Sequence, residues 1–108
     1  MTVAQLAETL GLEVISSGDL SREIECCYCS DLLSHCMSNI EYANLWITVQ
    51  VNINIVAIAV LTELSAIIIS QDMTVDKTVI DKAVEEGITI LKSTLPSYDL
   101  CLEVGKYI

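Results

Sequence analysis

Three stretches decide the fold: Leu45-Trp46-Ile47-Thr48-Val49, the thirteen residues from Asn52 to Leu64, and Ala66-Ile67-Ile68-Ile69. The first and third are short runs of β-branched and aromatic residues with apolar side chains on both faces. Strands buried on both sides have this composition. The middle stretch fits either a strand or a helix by periodicity, because Ile53, Ile55, Val56, Ile58 and Val60 satisfy both patterns. Its length and its alanines favour a helix buried on most faces. Strand, helix, strand is the parallel unit with a crossover helix.

The pattern continues toward the C-terminus. After the polar loop Ser70-Gln71-Asp72, Thr74 or Asp76 is placed to cap a helix that ends at Gly87. That helix is amphipathic through Val79, Ile80, Ala83 and Val84. Lys77 with Asp81 and Lys82 with Glu86 are spaced as i, i+4 ion pairs on its wet face. Ile88–Leu91 read as a further strand. Pro96 opens a last helix carrying Tyr98, Leu100, Cys101, Leu102 and Val104, which stops at Gly105. Toward the N-terminus, Val3, Leu6, Ala7 and Leu10 form one helical stripe, with Thr2 as cap and Gly11 at the exit. Leu12–Ile15 read as a strand, Ser16-Ser17-Gly18-Asp19 as a turn, and Arg22–Cys29 as an extended segment. Ser30 or Asp31 caps a helix to about Asn39. Strands alternating with helices make a three-layer α/β/α sandwich with a mostly parallel, mixed sheet, and residues 1–108 form a single domain.

Composition narrows the function. Hydrophobic residues make up 53% of the 108 residues and charged residues 19%, the reverse of a disordered chain. That apolar fraction exceeds what so small a body readily buries, which points to a homodimer. Met37–Tyr42 with Trp46, and the last helix around Tyr98, Leu102 and Tyr107, are the expected contact surfaces, since aromatics and methionine favour interface cores. The net charge of −10 repels phosphate backbones and anionic lipid, so neither nucleic acid nor a membrane surface is an expected partner. The start of the chain lacks the basic and apolar regions of a signal peptide, and a cytoplasmic location is expected. No charge falls between Glu41 and Glu63, but Asn44, Thr48, Gln50, Asn52, Asn54 and Thr62 make a membrane span costly there.

Catalytic chemistry finds no footing. The lone Gly-Lys pair, Gly105-Lys106, is followed by Tyr107 and lacks the Gly-rich turn and hydroxyl of a phosphate-binding loop. His35 is the single histidine, and a cysteine nucleophile would need it placed as a base. Cys26, Cys27 and Cys29, with His35 and Cys36, have spacings that a metal could share. Strand alternation, however, points Cys26 and Cys27 to opposite faces. The cysteines therefore read as reduced, small buried hydrophobes, with no metal and no cofactor expected. Candidate ligand-binding positions lie at strand C-terminal ends, where ligands settle in open α/β sheets: Gln50, Asn52, Ser70, Gln71, Asp72, Ser93 and Thr94. The competing reading of these polar residues is ordinary turn and cap satisfaction.

Leu61 to Ser70, Asp76 to Gly87 and Ile88 to Ser93 resemble the DRTGG domain, as do Val3 to Val14 and Cys29 to Ser34. That family includes regulatory modules inserted in enzymes, stand-alone proteins and relatives of the N-terminal domain of HPr kinase/phosphorylase. The resemblance implies an HPr kinase N-terminal-domain-like fold and a non-catalytic regulatory or interaction module, with an adenine-nucleotide sensor as the alternative. The five residues that name the family are absent as a string. Ser70-Gln71-Asp72 stand where its glycine-rich loop is expected, so phosphate binding there is not expected.

Overall fold

The computed structural model describes all residues, 1–108. Five helices and five strands follow one another, alternating from β2 onward: α1 (Val3–Leu10), β1 (Glu13–Ser16), β2 (Cys26–Cys29), α2 (Leu33–Asn39), β3 (Asn44–Thr48), α3 (Asn54–Thr62), β4 (Ala66–Ile69), α4 (Lys77–Glu86), β5 (Ile90–Lys92) and α5 (Ser97–Val104). They form one sheet in the order β1-β5-β4-β3-β2. The last four strands in the chain run parallel, and β1 pairs antiparallel with β5 at the edge. The expected three-layer α/β/α sandwich with a mostly parallel, mixed sheet is present.

Alternation along the central strands builds two cores. Trp46, Ile67, Ile69 and Ile90 face one side, where they meet Ile55, Val56, Ile58 and Ala59 of α3, Val79 and Ala83 of α4, and Cys36 of α2. Leu45, Ile47, Ala66, Ile68 and Leu91 face the other, against Val3, Leu6 and Ala7 of α1 and Leu100 and Val104 of α5. Each fully buried aliphatic side chain contributes about 1.5–3 kcal/mol, so the two layers together hold the sheet between them.

Local signals behave as their chemistry predicts at several ends. Thr2 Oγ1 accepts from Gln5 N (3.2 Å) and Gln5 Oε1 accepts from Thr2 N (2.9 Å), a reciprocal capping box. Gly11 and Gly87 end α1 and α4 in the left-handed conformation, at φ 63° and 69°. Lys77 pairs with Asp81 and Lys82 with Glu86. Gly18 is required by close approach: a Cβ there would collide with the carbonyl oxygen of Gly87.

Other expectations give way to tertiary contacts. Only Cys26–Cys29 of the extended segment joins the sheet, while Ile24 turns into the α1 core. The last strand starts at Ile90 rather than Ile88, because the Ile88 carbonyl accepts from Ser16 Oγ (2.8 Å) and Thr89 Oγ1 from Gly18 N (3.0 Å). Trp46 is fully buried, its Nε1 donating to the Ser30 carbonyl at 3.0 Å, so it is no part of an outer contact surface. Val84 lies on the wet side of α4. The cysteines also depart from expectation: Cys26, Cys27 and Cys29 are exposed and Cys101 half-buried, with Cys36 alone in the core. The reason is position. β2 is the sheet's far edge and has no neighbour on its outer side.

Candidate functional site

The four parallel strands end on one rim, at Cys29, Thr48, Ile69 and Lys92. Rims of this kind hold ligands when loop amides and side chains are left free. The deciding question is where the polar groups of the rim go.

On the β2–β3 side they converge on Asp31. Its Oδ1 accepts from Thr48 Oγ1 (2.8 Å) and from Val49 N (2.9 Å), and its carbonyl accepts from Gln50 Nε2 (3.0 Å). Asp31 therefore caps the end of β3 and not α2. That helix begins after Leu32 with no side-chain cap, which corrects the expectation for Ser30 and Asp31. Ser30 is likewise used elsewhere, its carbonyl taking the Trp46 indole and the Cys36 thiol. Gln50 N donates to Thr48 Oγ1 (3.1 Å), and Asn52 Oδ1 accepts from Asn54 N (2.8 Å) at the start of α3. The next two amides, of Ile55 and Val56, donate to the carbonyls of Asn52 and Ile53. The Gln50 side chain thus ties its loop to Asp31, and Asn52 closes the start of α3.

The loop after β4 is closed in the same way. The amides of Ser70, Gln71 and Asp72 donate to the carbonyls of Thr48 (3.0 Å), Leu95 (2.8 Å) and Ser93 (3.0 Å). Ser70 is fully buried, and its hydroxyl meets that of Ser97 at 2.7 Å. Gln71 and Asp72 both adopt left-handed backbone, at φ 65° and 54°. These are conformations that glycine adopts freely and other residues adopt at a cost. The loop keeps a glycine-type path with no glycine in it. Ser93 Oγ accepts from Leu95 N (3.1 Å), while Asp72, Ser93 and Thr94 line a shallow hollow of about 280 Å³ beside Lys92. Lys92 Nζ is held by Asp72 Oδ1 at 3.2 Å. The seven candidate residues therefore lie on three loops, after β3, β4 and β5, with the second and third tied together by the amides of Gln71 and Asp72.

An exposed apolar stripe lies elsewhere, on the outer face of α3. Ile55, Val56, Ile58 and Ala59 are buried, but Ile53, Ala57, Val60 and Leu61 are exposed, with Leu61 68% open. The expectation of a helix buried on most faces is corrected: an uninterrupted apolar helix has a bare side as apolar as its core side. A hollow of about 510 Å³ runs between this stripe and Lys82 and Glu86 of α4. Another of about 420 Å³ runs between α3 and Leu33, Ser34 and Met37 of α2. Beyond the end of α3, Arg22 donates to the carbonyls of Leu64 and Glu63 (both 2.6 Å) and stacks over the Tyr42 ring at 5.4 Å. Arg22 so satisfies the exit of the helix, where Glu63 is left-handed at φ 55°. Asp31 and Arg22 both act on partners far along the chain, and no local pattern marks either.

No group of three or more histidine, cysteine or acidic side chains is placed to share a metal. No helix is long and apolar enough to cross a membrane.

No protein-family model matches the chain. No curated protein matches it either. Among solved structures it is similar to the CBS and DRTGG domains of the regulatory region of Clostridium perfringens pyrophosphatase, determined with the activator diadenosine tetraphosphate. The TM-score is 0.78 at 15% identity over 95% of this chain, and the chain spans 45% of that structure's length. The likeness is one of fold, and the architecture is DRTGG-like.

Proposed function

We propose that this chain is a non-catalytic regulatory or protein-interaction module of the DRTGG type that works as a homodimer through the outer face of α3. The observation that carries this reading is the stripe Ile53, Ala57, Val60 and Leu61, exposed together along one side of a helix that is apolar all round. A two-fold contact suits it. Ala57 lies midway between Ile53 and Leu61, so two antiparallel copies of α3 crossing at Ala57 set each Ile53 against the partner's Leu61 end. The stripe also lies in the uncharged segment between Glu41 and Glu63. On a chain of net charge −10, that is where two copies approach with least repulsion.

Sedimentation equilibrium tests the proposal. We expect the native chain at twice its 11.8 kDa mass and Leu61→Asp at the single-chain mass, with unchanged circular dichroism because Leu61 is already exposed. A native chain that stays at 11.8 kDa at high concentration, or a Leu61→Asp variant that still pairs, would overturn it. If instead Leu102→Asp alone separates the copies, the contact lies on α5.

A second reading, an adenine-nucleotide sensor, is favoured by the neighbouring fold having been solved with a dinucleotide activator. The amides of Ser70, Gln71 and Asp72 are committed to carbonyls, so a nucleotide at this rim would have to displace the bonds of Gln50 and Asn52 or use the hollow lined by Asp72, Ser93 and Thr94. Thermal-shift titration with adenosine, ATP and diadenosine tetraphosphate separates the readings, since a pure interaction module is unmoved by all three.

A further inference from the structure

Outside the α3 face and the polar loops of the rim, one cluster of reactive side chains is left without a role. Parallel register places Cys27 and Cys29 of β2 beside Leu45 and Ile47 of β3, hence on the face covered by α5. Cys101 of α5 packs at the margin of that same apolar layer. Cys26, Cys27, Cys29 and Cys101 line one open hollow of about 370 Å³ with Glu25, Val104 and Ile108. Within it Cys29, on the strand face that α5 covers, and Cys101 of α5 line the same space. Cys26 accepts from Asn44 Nδ2. An edge strand and the last helix, 72 residues apart in the chain, thus bring two thiols together at the surface.

We propose that Cys29 and Cys101 are a dithiol modification site that closes to an intramolecular disulfide by exchange with low-molecular-weight disulfides, latching β2 to α5. Cys29, exposed, loses its proton to solvent and attacks one sulfur of the reagent. The reagent's S–S bond breaks, one small thiol leaves, and a mixed disulfide remains on Cys29. Cys101, half-buried beside it, gives up its proton and displaces the second small thiol. Two electrons pass from the protein dithiol to the reagent disulfide, and the protein loses two hydrogens. Burial pushes the Cys29 thiol up to about 11, so the reaction is slow at neutral pH. It accelerates about tenfold per pH unit on the way up, in step with the thiolate fraction. The site responds to a sustained disulfide load rather than to brief exposure. It lies on the face opposite α3 and is independent of the dimer proposal.

The test is to incubate the reduced, folded chain with oxidised glutathione at mildly alkaline pH, quench with acid and map tryptic peptides. Cleavage after Arg22, Lys77, Lys92 and Lys106 separates residues 23–77 from 93–106, so a link between them must use Cys101. We expect that link in the native chain and in Cys27→Ser, its loss in Cys29→Ser, and a stable glutathione adduct on Cys29 in Cys101→Ser. A link that survives Cys29→Ser would overturn the assignment. So would a native chain that gains only glutathione adducts, or links to the same extent when unfolded in denaturant.

Discussion

Replacing Gln71 by glycine should stabilise the protein, although it removes a side chain. Gln71 is held at φ 65° with its amide bonded to the Leu95 carbonyl at 2.8 Å, so the surrounding contacts impose the left-handed backbone. An L-residue pays about 1–2 kcal/mol for that conformation. Glycine avoids the cost but brings about 0.5–1 kcal/mol of extra chain entropy in the unfolded state. The Gln71 side chain is exposed and makes no hydrogen bond, so little else changes. The net gain is about 0.5–1 kcal/mol, or roughly 2–6 °C in Tm for a domain of this size. Asp72→Gly relieves a similar strain at φ 54° but removes the ion pair with Lys92, itself worth about 0–1 kcal/mol, and should come out near neutral. Gln71→Ala keeps the strain and should show no gain. Urea unfolding of the three variants, with the slope checked for constancy, measures all of this. A Gln71→Gly variant no more stable than the native chain, or an alanine variant that gains as much, would show that the loop is not strained.

Three further outcomes follow from single contacts. Asp31→Ala leaves buried Thr48 and the Val49 amide without their acceptor, and should cost about 2–3 kcal/mol in urea unfolding; Asp31→Asn, which keeps an acceptor oxygen, should recover part of that. Gly18→Ala drives a Cβ into the Gly87 carbonyl and should cost about 1–3 kcal/mol by overpacking, read as a drop in Tm. Loss of water around their sulfurs in the apolar hollow they line pushes the Cys27 thiol up to about 12 from an ordinary 9.0 and the Cys29 thiol up to about 11, although both residues are partly open to solvent. The folded chain then holds these protons more tightly than the unfolded one, so this contribution is complete below about pH 9 and is lost as pH rises through the folded values. Unfolding measured from pH 8 to 11 should show falling stability, and Cys27→Ser should flatten the fall; a native profile already flat over that range would refute the linkage.

What the sequence determined by itself is what depends on neighbours in the chain. The Thr2 box with Gln5, the glycine exits at Gly11 and Gly87, the ion pairs of α4 and the strand character of Leu45–Val49 and Ala66–Ile69 all rest on contacts within a few residues. Alternating such elements leaves few topologies besides a parallel sheet between helix layers. Tertiary structure decided the rest, because each remaining choice compares partners distant in the chain. Asp31 satisfied the end of β3, 17 residues away, in place of its own helix. Placing β2 at the sheet's edge brought its cysteines to the surface and set them beside Cys101. Helix α3 shows the reason most clearly. Its residues are apolar on every side, so no period in the sequence distinguishes the face on the sheet from the face left bare. Only the positions of α2 and α4 on either side of it make that distinction.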